Sequence, residues 1–176
     1  GMDLPTNVYP LFAQALRKEE KKTAATHLGE CSDLFSKFSK IASENPYSWF
    51  PSYRSATEIA EETPDNRMVG FPYTKYLNSV IRVNMASAFI LMSQSKADEL
   101  NVAENKRVYV HGCSILNDIW NVTERPDFHS SPAIKTCVNQ SLDQAEISFS
   151  DIKHFDLYSC FPSAVQIAKK ELGIPE

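Results

Sequence analysis

From Asn66 onward, short apolar runs rich in small and β-branched residues alternate with helical patterns. That alternation restricts the fold more than any other feature of the chain. Val83 to Met92 is an almost continuous apolar run without a charged residue, the pattern of a strand buried on both faces. Ser93 follows as the cap of a short helix carrying Ala97 and Leu100. Arg107-Val108-Tyr109-Val110-His111 has the composition of a second strand. Ser130-Ser131-Pro132 opens a helix through Ala133, Ile134, Cys137, Val138 and Leu142. His154 to Tyr158 reads as a third strand, and Ser163 to Leu172 as a last helix stopped by Gly173. The expected architecture is α/β, a mostly parallel sheet flanked by helices.

Before Pro64-Asp65-Asn66 the pattern is helical and partly irregular. Val8, Leu11, Phe12 and Leu16 fall on one helical stripe, with Pro10 inside its first turns. Leu28, Cys31, Leu34, Phe35, Phe38 and Ile41 form a second stripe. Asn45-Pro46-Tyr47-Ser48-Trp49-Phe50-Pro51 interrupts it as an aromatic loop, and a short helix is expected over Ala56 to Glu62. The chain thus divides into a helical and irregular segment, 2–65, and an α/β core segment, 66–176.

The richest chemistry lies where the third strand turns into the last helix, at Asp156-Leu157-Tyr158-Ser159-Cys160-Phe161-Pro162-Ser163. A helix start offers unpaired backbone N–H groups and the positive end of a dipole, which favours an oxyanion or a thiolate. Ser159 is a candidate cap, and Pro162 suits the first turn, where its missing N–H costs nothing.

Composition excludes several classes. The net charge is −4, and the one basic cluster, Lys18-Glu19-Glu20-Lys21-Lys22, is mixed in sign, so no nucleic-acid surface is expected. No apolar run reaches the length of a membrane span, and Gly1-Met2-Asp3 lacks the basic and apolar regions of a secretory signal. Cys31, Cys113, Cys137 and Cys160 form no CxxC pair, so neither a zinc site nor a disulfide framework is indicated. His111 and Cys113 would share a strand face but lack further ligands; no metal is expected. The default reading is a reduced, cytoplasmic protein.

Taken in order, several motifs resemble the thiolase superfamily, most closely the thiolase-like acyl-CoA acyltransferases related to the thiolase part of sterol carrier protein X. Asn66-Arg67-Met68-Val69-Gly70-Phe71-Pro72-Tyr73 is similar to the start of that family's ligand loop region. Met85-Ala86-Ser87-Ala88-Phe89-Ile90-Leu91-Met92-Ser93 resembles the Gly-Ala-Ala strand after it, and Arg107 to Cys113 the next core strand. Asp127-Phe128-His129-Ser130-Ser131-Pro132-Ala133-Ile134 resembles the helix start joining the two halves of a thiolase. Tyr158-Ser159-Cys160-Phe161 stands in place of the Asn-Glu-Ala-Phe or His-Asp-Cys-Phe motif.

The resemblance implies a partial thiolase-like chain. A complete thiolase also uses a nucleophilic cysteine from an earlier sheet, a Gly-His-Pro histidine and a later acid/base cysteine. Nothing here reads Gly-His-Pro, and no Cys-x-Gly follows Cys160. Tyr158 replaces an Asn or His that orients a water in the oxyanion hole, a role a phenol O–H can also fill. Met85 and Ala86 replace a polar residue and a glycine. The implied catalytic wall is Tyr158, Ser159 and Cys160, the last a packing thiol rather than a nucleophile. The implied acyl-CoA contacts are Phe71, Pro72, Tyr73, Ser79 and His129. Coenzyme A thioester would enter as substrate, with no resident cofactor, and a homo-oligomer through a sheet edge is implied. Three readings remain open: a piece of an acyl-CoA C-acyltransferase inactive alone, a non-catalytic acyl-CoA-binding or assembly module, and a retro-aldol lyase with Tyr158 as acid/base.

Overall fold

The computed structural model describes residues 4–175. Its core gathers Ala13, Cys31, Ile59, Tyr73, Leu77 and Phe161 next to the start of the last helix, α6 (Pro162–Leu172), which itself buries Val165, Ile167 and Ala168. Pro162 occupies the first helical turn, and Gly173, at φ 65°, ends the helix in the left-handed conformation. Helix α1 (Pro5–Glu19) and helix α2 (Ala24–Glu44) pack against α6 from the N-terminal part of the chain. Helix α5 (Pro132–Ala145) packs on it as well.

The inward face of α1 keeps Leu16 of the expected stripe and differs from it in the earlier turns. Ala13 and Leu16 are fully buried and Tyr9 packs against the core, whereas Leu11 is exposed. The working pattern is Tyr9, Ala13, Leu16, an i, i+4, i+7 series one residue away from the Val8–Phe12 pair. On helix α2 the expected stripe holds at Cys31, which is buried, and at Leu28 and Phe35, which pack against the core, but Phe38 and Ile41 face outward and His27, Ser32 and Ser36 are buried instead. Burial pushes the Cys31 thiol pKa up to about 12 and lowers that of His27.

A short helix, α3 (Ala56–Ala60), starts with a reciprocal capping box between Ser55 and Glu58. Its far end is tied to the next elements by one side chain. The buried Asn66 amide donates to the carbonyls of Glu58, Ile59 and Glu61 at 3.1, 3.0 and 2.8 Å. Its oxygen accepts from the Tyr76 amide at 2.9 Å. Asn66 thereby fixes strands β1 (Met68–Gly70) and β2 (Tyr73–Thr74), an antiparallel pair turned by the cis Phe71–Pro72 peptide. Thr74 adds a hydrogen bond from Oγ1 to the Ile59 carbonyl at 2.7 Å.

Among the described residues this hairpin is the only sheet, so the expected parallel sheet is replaced by a helix-rich body. The three segments read as core strands are irregular and exposed. Phe89 is 89% exposed and Val108 94%, against the burial expected of both. Residues 79–92, 108–120 and 153–160 make no backbone–backbone hydrogen bond among the described residues. A strand is defined by its neighbour's ladder, and apolar composition alone cannot supply one.

The helical expectations fare better. Helix α4 (Gln94–Glu99) begins at Ser93, whose hydroxyl accepts from the Lys96 amide at 3.2 Å. Helix α5 begins at Pro132 as read from the sequence. No described helix is long and apolar enough to cross a membrane.

Replacing Asn66 by alanine strands several buried backbone groups at once. Asn66→Ala is expected to lower unfolding free energy by about 3 kcal/mol, checked by urea denaturation; a loss below about 0.5 kcal/mol would contradict the hub role.

Candidate functional site

The turn into α6 is organised by Phe161, which occupies the helix N-cap position with extended backbone, φ −143° and ψ 148°. Its ring is 1% exposed and stacks on Tyr9 with centroids 4.2 Å apart and planes 11° from parallel. Tyr73 closes the other side at 6.1 Å. Burial of such a ring stabilises by about 1.5–3 kcal/mol, so it anchors the residues on either side of it.

Ser159 does not cap the helix. The cap position falls two residues later, and no side chain there accepts a first-turn amide. Instead the Ser163 amide donates to the Tyr73 hydroxyl at 3.1 Å, in full burial. One helix-start donor is therefore already used inside the core. Burial first, with the Cys31 thiol next, drives the Tyr73 phenol pKa far above the ordinary range, so it stays a neutral hydroxyl.

The residues just before the anchor point outward. Tyr158 is 64% exposed, Ser159 is exposed and Cys160 is half-buried, packed against the core beside Phe161. The Tyr158 phenol is raised well above the usual tyrosine range, by its interaction with the Cys160 thiol first, then by partial burial and Tyr9. Tyr9 is raised too, mainly by burial. The Tyr158 hydroxyl interacts with both the Cys160 thiol and the Tyr9 hydroxyl. A phenol held protonated is a hydrogen-bond donor at neutral pH and a poor base. Tyr9 escaped the sequence reading, although its spacing to Ala13 and Leu16 marks the inward face of α1.

The other expected site residues divide by burial. Pro72 and Tyr73 lie in the core, while Phe71 and Ser79 are exposed on either side of them. His129 sits in the loop before α5, its Nε2 3.8 Å from a Glu19 carboxylate oxygen and its Nδ1 3.9 Å from Asp127. Asp127 accepts from the His129 and Ser130 amides at 3.1 and 3.0 Å and from the Ser130 hydroxyl at 2.8 Å. Ser131 donates from its hydroxyl to Asp118, and Arg125 pairs with that carboxylate at 3.4 Å. This network orders the start of α5, and no hydrogen bond or ion pair carries it to Tyr158.

Two grooves lie apart from the Tyr158 turn. One of about 480 Å³ is lined by Glu20, Lys22, Glu30, Lys37, Gln166 and Lys169. Its Glu20 and Glu30, with the buried His27 behind them, bring possible ligand atoms within 4.8 Å of one another. The Lys22 ammonium already sits between the two carboxylates, at 2.9 and 2.6 Å, and neutralises them. The second groove, about 300 Å³, borders the Asp118–Arg125 network.

The arrangement of helices, hairpin and turn defines a thiolase-like fold. Over 99% of its length the chain matches part of the crystal structure of a monomeric SCP2-thiolase like protein type 1 from Mycobacterium smegmatis, with a TM-score of 0.86 and 32% sequence identity. The match spans 38% of that protein's chain. No family model and no curated protein matches the sequence.

The geometry separates two tyrosines that the sequence places in one site. Tyr73→Phe leaves the Ser163 amide buried without a partner and is expected to cost about 1–3 kcal/mol. Tyr158→Phe is expected to change stability by less than about 0.5 kcal/mol. Equal losses in thermal or urea unfolding of the two variants would contradict this division.

Proposed function

We propose that this chain is part of a thiolase-like acyl-CoA C-acyltransferase and contributes one wall of its active site. The observation that carries the reading is the full-length match to an SCP2-thiolase like protein at 32% identity. The exposed Tyr158 phenol at the turn into α6 supports it. In the proposed reaction a thiolate from polypeptide beyond this chain attacks the thioester carbonyl. A sulfur–carbon bond forms, coenzyme A leaves as its thiol after taking a proton, and the acyl group rests on the enzyme. A base, likewise from polypeptide other than this chain, takes the α-proton of a second acyl-CoA, and the resulting enolate attacks the acyl carbon, forming the new carbon–carbon bond as the acyl–sulfur bond breaks and the enzyme thiolate is released.

Tyr158 acts as a donor to the oxyanion in this scheme. The phenol, protonated at neutral pH, can donate a hydrogen bond to the oxyanion. Ser159, exposed beside it, offers a second hydrogen-bonding group. Cys160 remains a packing thiol, half-buried against Phe161 and Tyr9. Phe71, Ser79 and His129 are the accessible or partly accessible candidates for contact with the coenzyme A thioester.

The chain alone is expected to give no thiolysis of acetoacetyl-CoA, since it carries no thiol placed as a nucleophile. With a polypeptide that supplies the cysteine, Tyr158→Phe is expected to lower kcat by about 100-fold, whereas Cys160→Ser changes it less than about threefold. Turnover by the isolated chain that Cys160→Ser abolishes would overturn the assignment.

A further inference from the structure

The His27 imidazole, near the start of α2, is a buried polar group that the core leaves half used. The residue is fully enclosed, and its Nδ1 makes no hydrogen bond among the described residues. Its Nε2 lies 3.6 Å from the Cys31 Sγ one helical turn on. A buried ring nitrogen without a partner is costly, and a bound ion is one of the few things that offset the cost.

Two carboxylates lie beside that ring. Glu30 follows His27 by three residues, on the same side of α2, and Glu20 caps the end of α1. One imidazole nitrogen and one oxygen from each glutamate all lie within 4.8 Å of one another. The turn between the two helices holds Glu20 in place. Lys21 takes the left-handed conformation there, at φ 54°. The Lys22 amide donates to the Arg17 carbonyl, and the Arg17 guanidinium donates back to the Lys22 carbonyl, both at 3.0 Å. No ligand spacing marks the three residues in the sequence, because Glu20 reaches the other two only through this turn.

A cation already stands between the carboxylates. The Lys22 ammonium is 2.9 Å from Glu20 Oε2 and 2.6 Å from Glu30 Oε2. The Lys22 backbone is pinned on Arg17, whereas its side chain lines the 480 Å³ groove and has room to swing aside. The ammonium satisfies the two carboxylates and leaves His27 Nδ1 unserved. A divalent ion would engage all three groups at once.

We infer that Glu20, His27 and Glu30 form a site for a divalent transition-metal ion of the zinc type, with the Lys22 ammonium holding the ion's place and yielding it on binding. One imidazole and two carboxylates suit such an ion and leave a fourth position open towards the groove. Bonds of about 2.0–2.2 Å in tetrahedral geometry put ligand atoms about 3.3 Å apart, so the side chains close by roughly 1.5 Å at most. Rotation of the two glutamates supplies that movement. Cys31 fixes the ring through Nε2, which leaves Nδ1 to the ion. The ion would tie α1 to α2 at a distance from the Tyr158 turn, so the inference is independent of the acyl-transfer proposal.

Calorimetric titration of the 176-residue chain with Zn2+, with Co2+ as an optical probe, tests it. The expected result is one ion per chain, the visible absorption of four-coordinate cobalt, and a zinc-induced shift of the His27 ring nitrogens in NMR spectra. Lys22→Met is expected to tighten zinc by about tenfold, since two partly exposed ion pairs no longer compete. Glu30→Gln is expected to weaken it by about tenfold or more and to leave the far-UV circular dichroism unchanged. This surface variant carries the test if His27→Ala fails to fold. No binding by the unmodified chain at about 100 μM zinc would overturn the inference. So would an affinity that Lys22→Met or Glu30→Gln leaves unchanged, or zinc-induced shifts confined to His111, His129 and His154.

Discussion

The structure depends on the burial of Phe161 between Tyr9 and Tyr73, with the Ser163 amide bonded to the Tyr73 hydroxyl. Through these few groups α1, the β1–β2 hairpin and α6 meet at one point. The aromatic stack supplies apolar burial, and the hydrogen bond removes the penalty of an orphaned helix-start amide. Asn66 does comparable work one layer away, where it closes α3 onto the hairpin that carries Tyr73. The position of the turn 158–160 follows from these contacts, because the chain immediately after it has nowhere else to go.

That anchoring sorts the turn into an inside and an outside. Phe161 and Ser163 serve the core, whereas Tyr158 and Ser159 stay accessible. A thiolase-like reaction needs donors on a rigid support aimed at a place where charge develops. Tyr158, the donor proposed above, stands two residues before a ring that is almost fully enclosed.

Helix boundaries were legible in the sequence because their signals are local. Ser93 before α4, Pro132 at α5, Pro162 at α6 and Gly173 after it each act within one turn of their own position. Strands were not legible in the same way. Val83–Met92 has the composition of a buried strand, yet burial and pairing depend on chain that must lie alongside it. Helix faces fell between these cases: the α2 stripe was right at Cys31, which is buried, but the core stops short of Phe38 and Ile41 and takes in His27, whose Nε2 lies 3.6 Å from the Cys31 Sγ. At the candidate site the start of α6 at Pro162 was readable, whereas the strand expected before it is irregular, exposed chain. Tyr73 as a core hydroxyl and Asn66 as a hub were not readable, since only tertiary contact reveals which polar groups are enclosed.

The most direct measurement of this account is the hydrogen-exchange rate of the single Ser163 amide. Held on an enclosed phenol hydroxyl, it should exchange only when the whole chain unfolds, with the protection of the most stable helical amides. Exchange within seconds, like that of an exposed helix start, would show that the Tyr73–Phe161 anchor does not exist in solution and that the turn bearing Tyr158 has no fixed support.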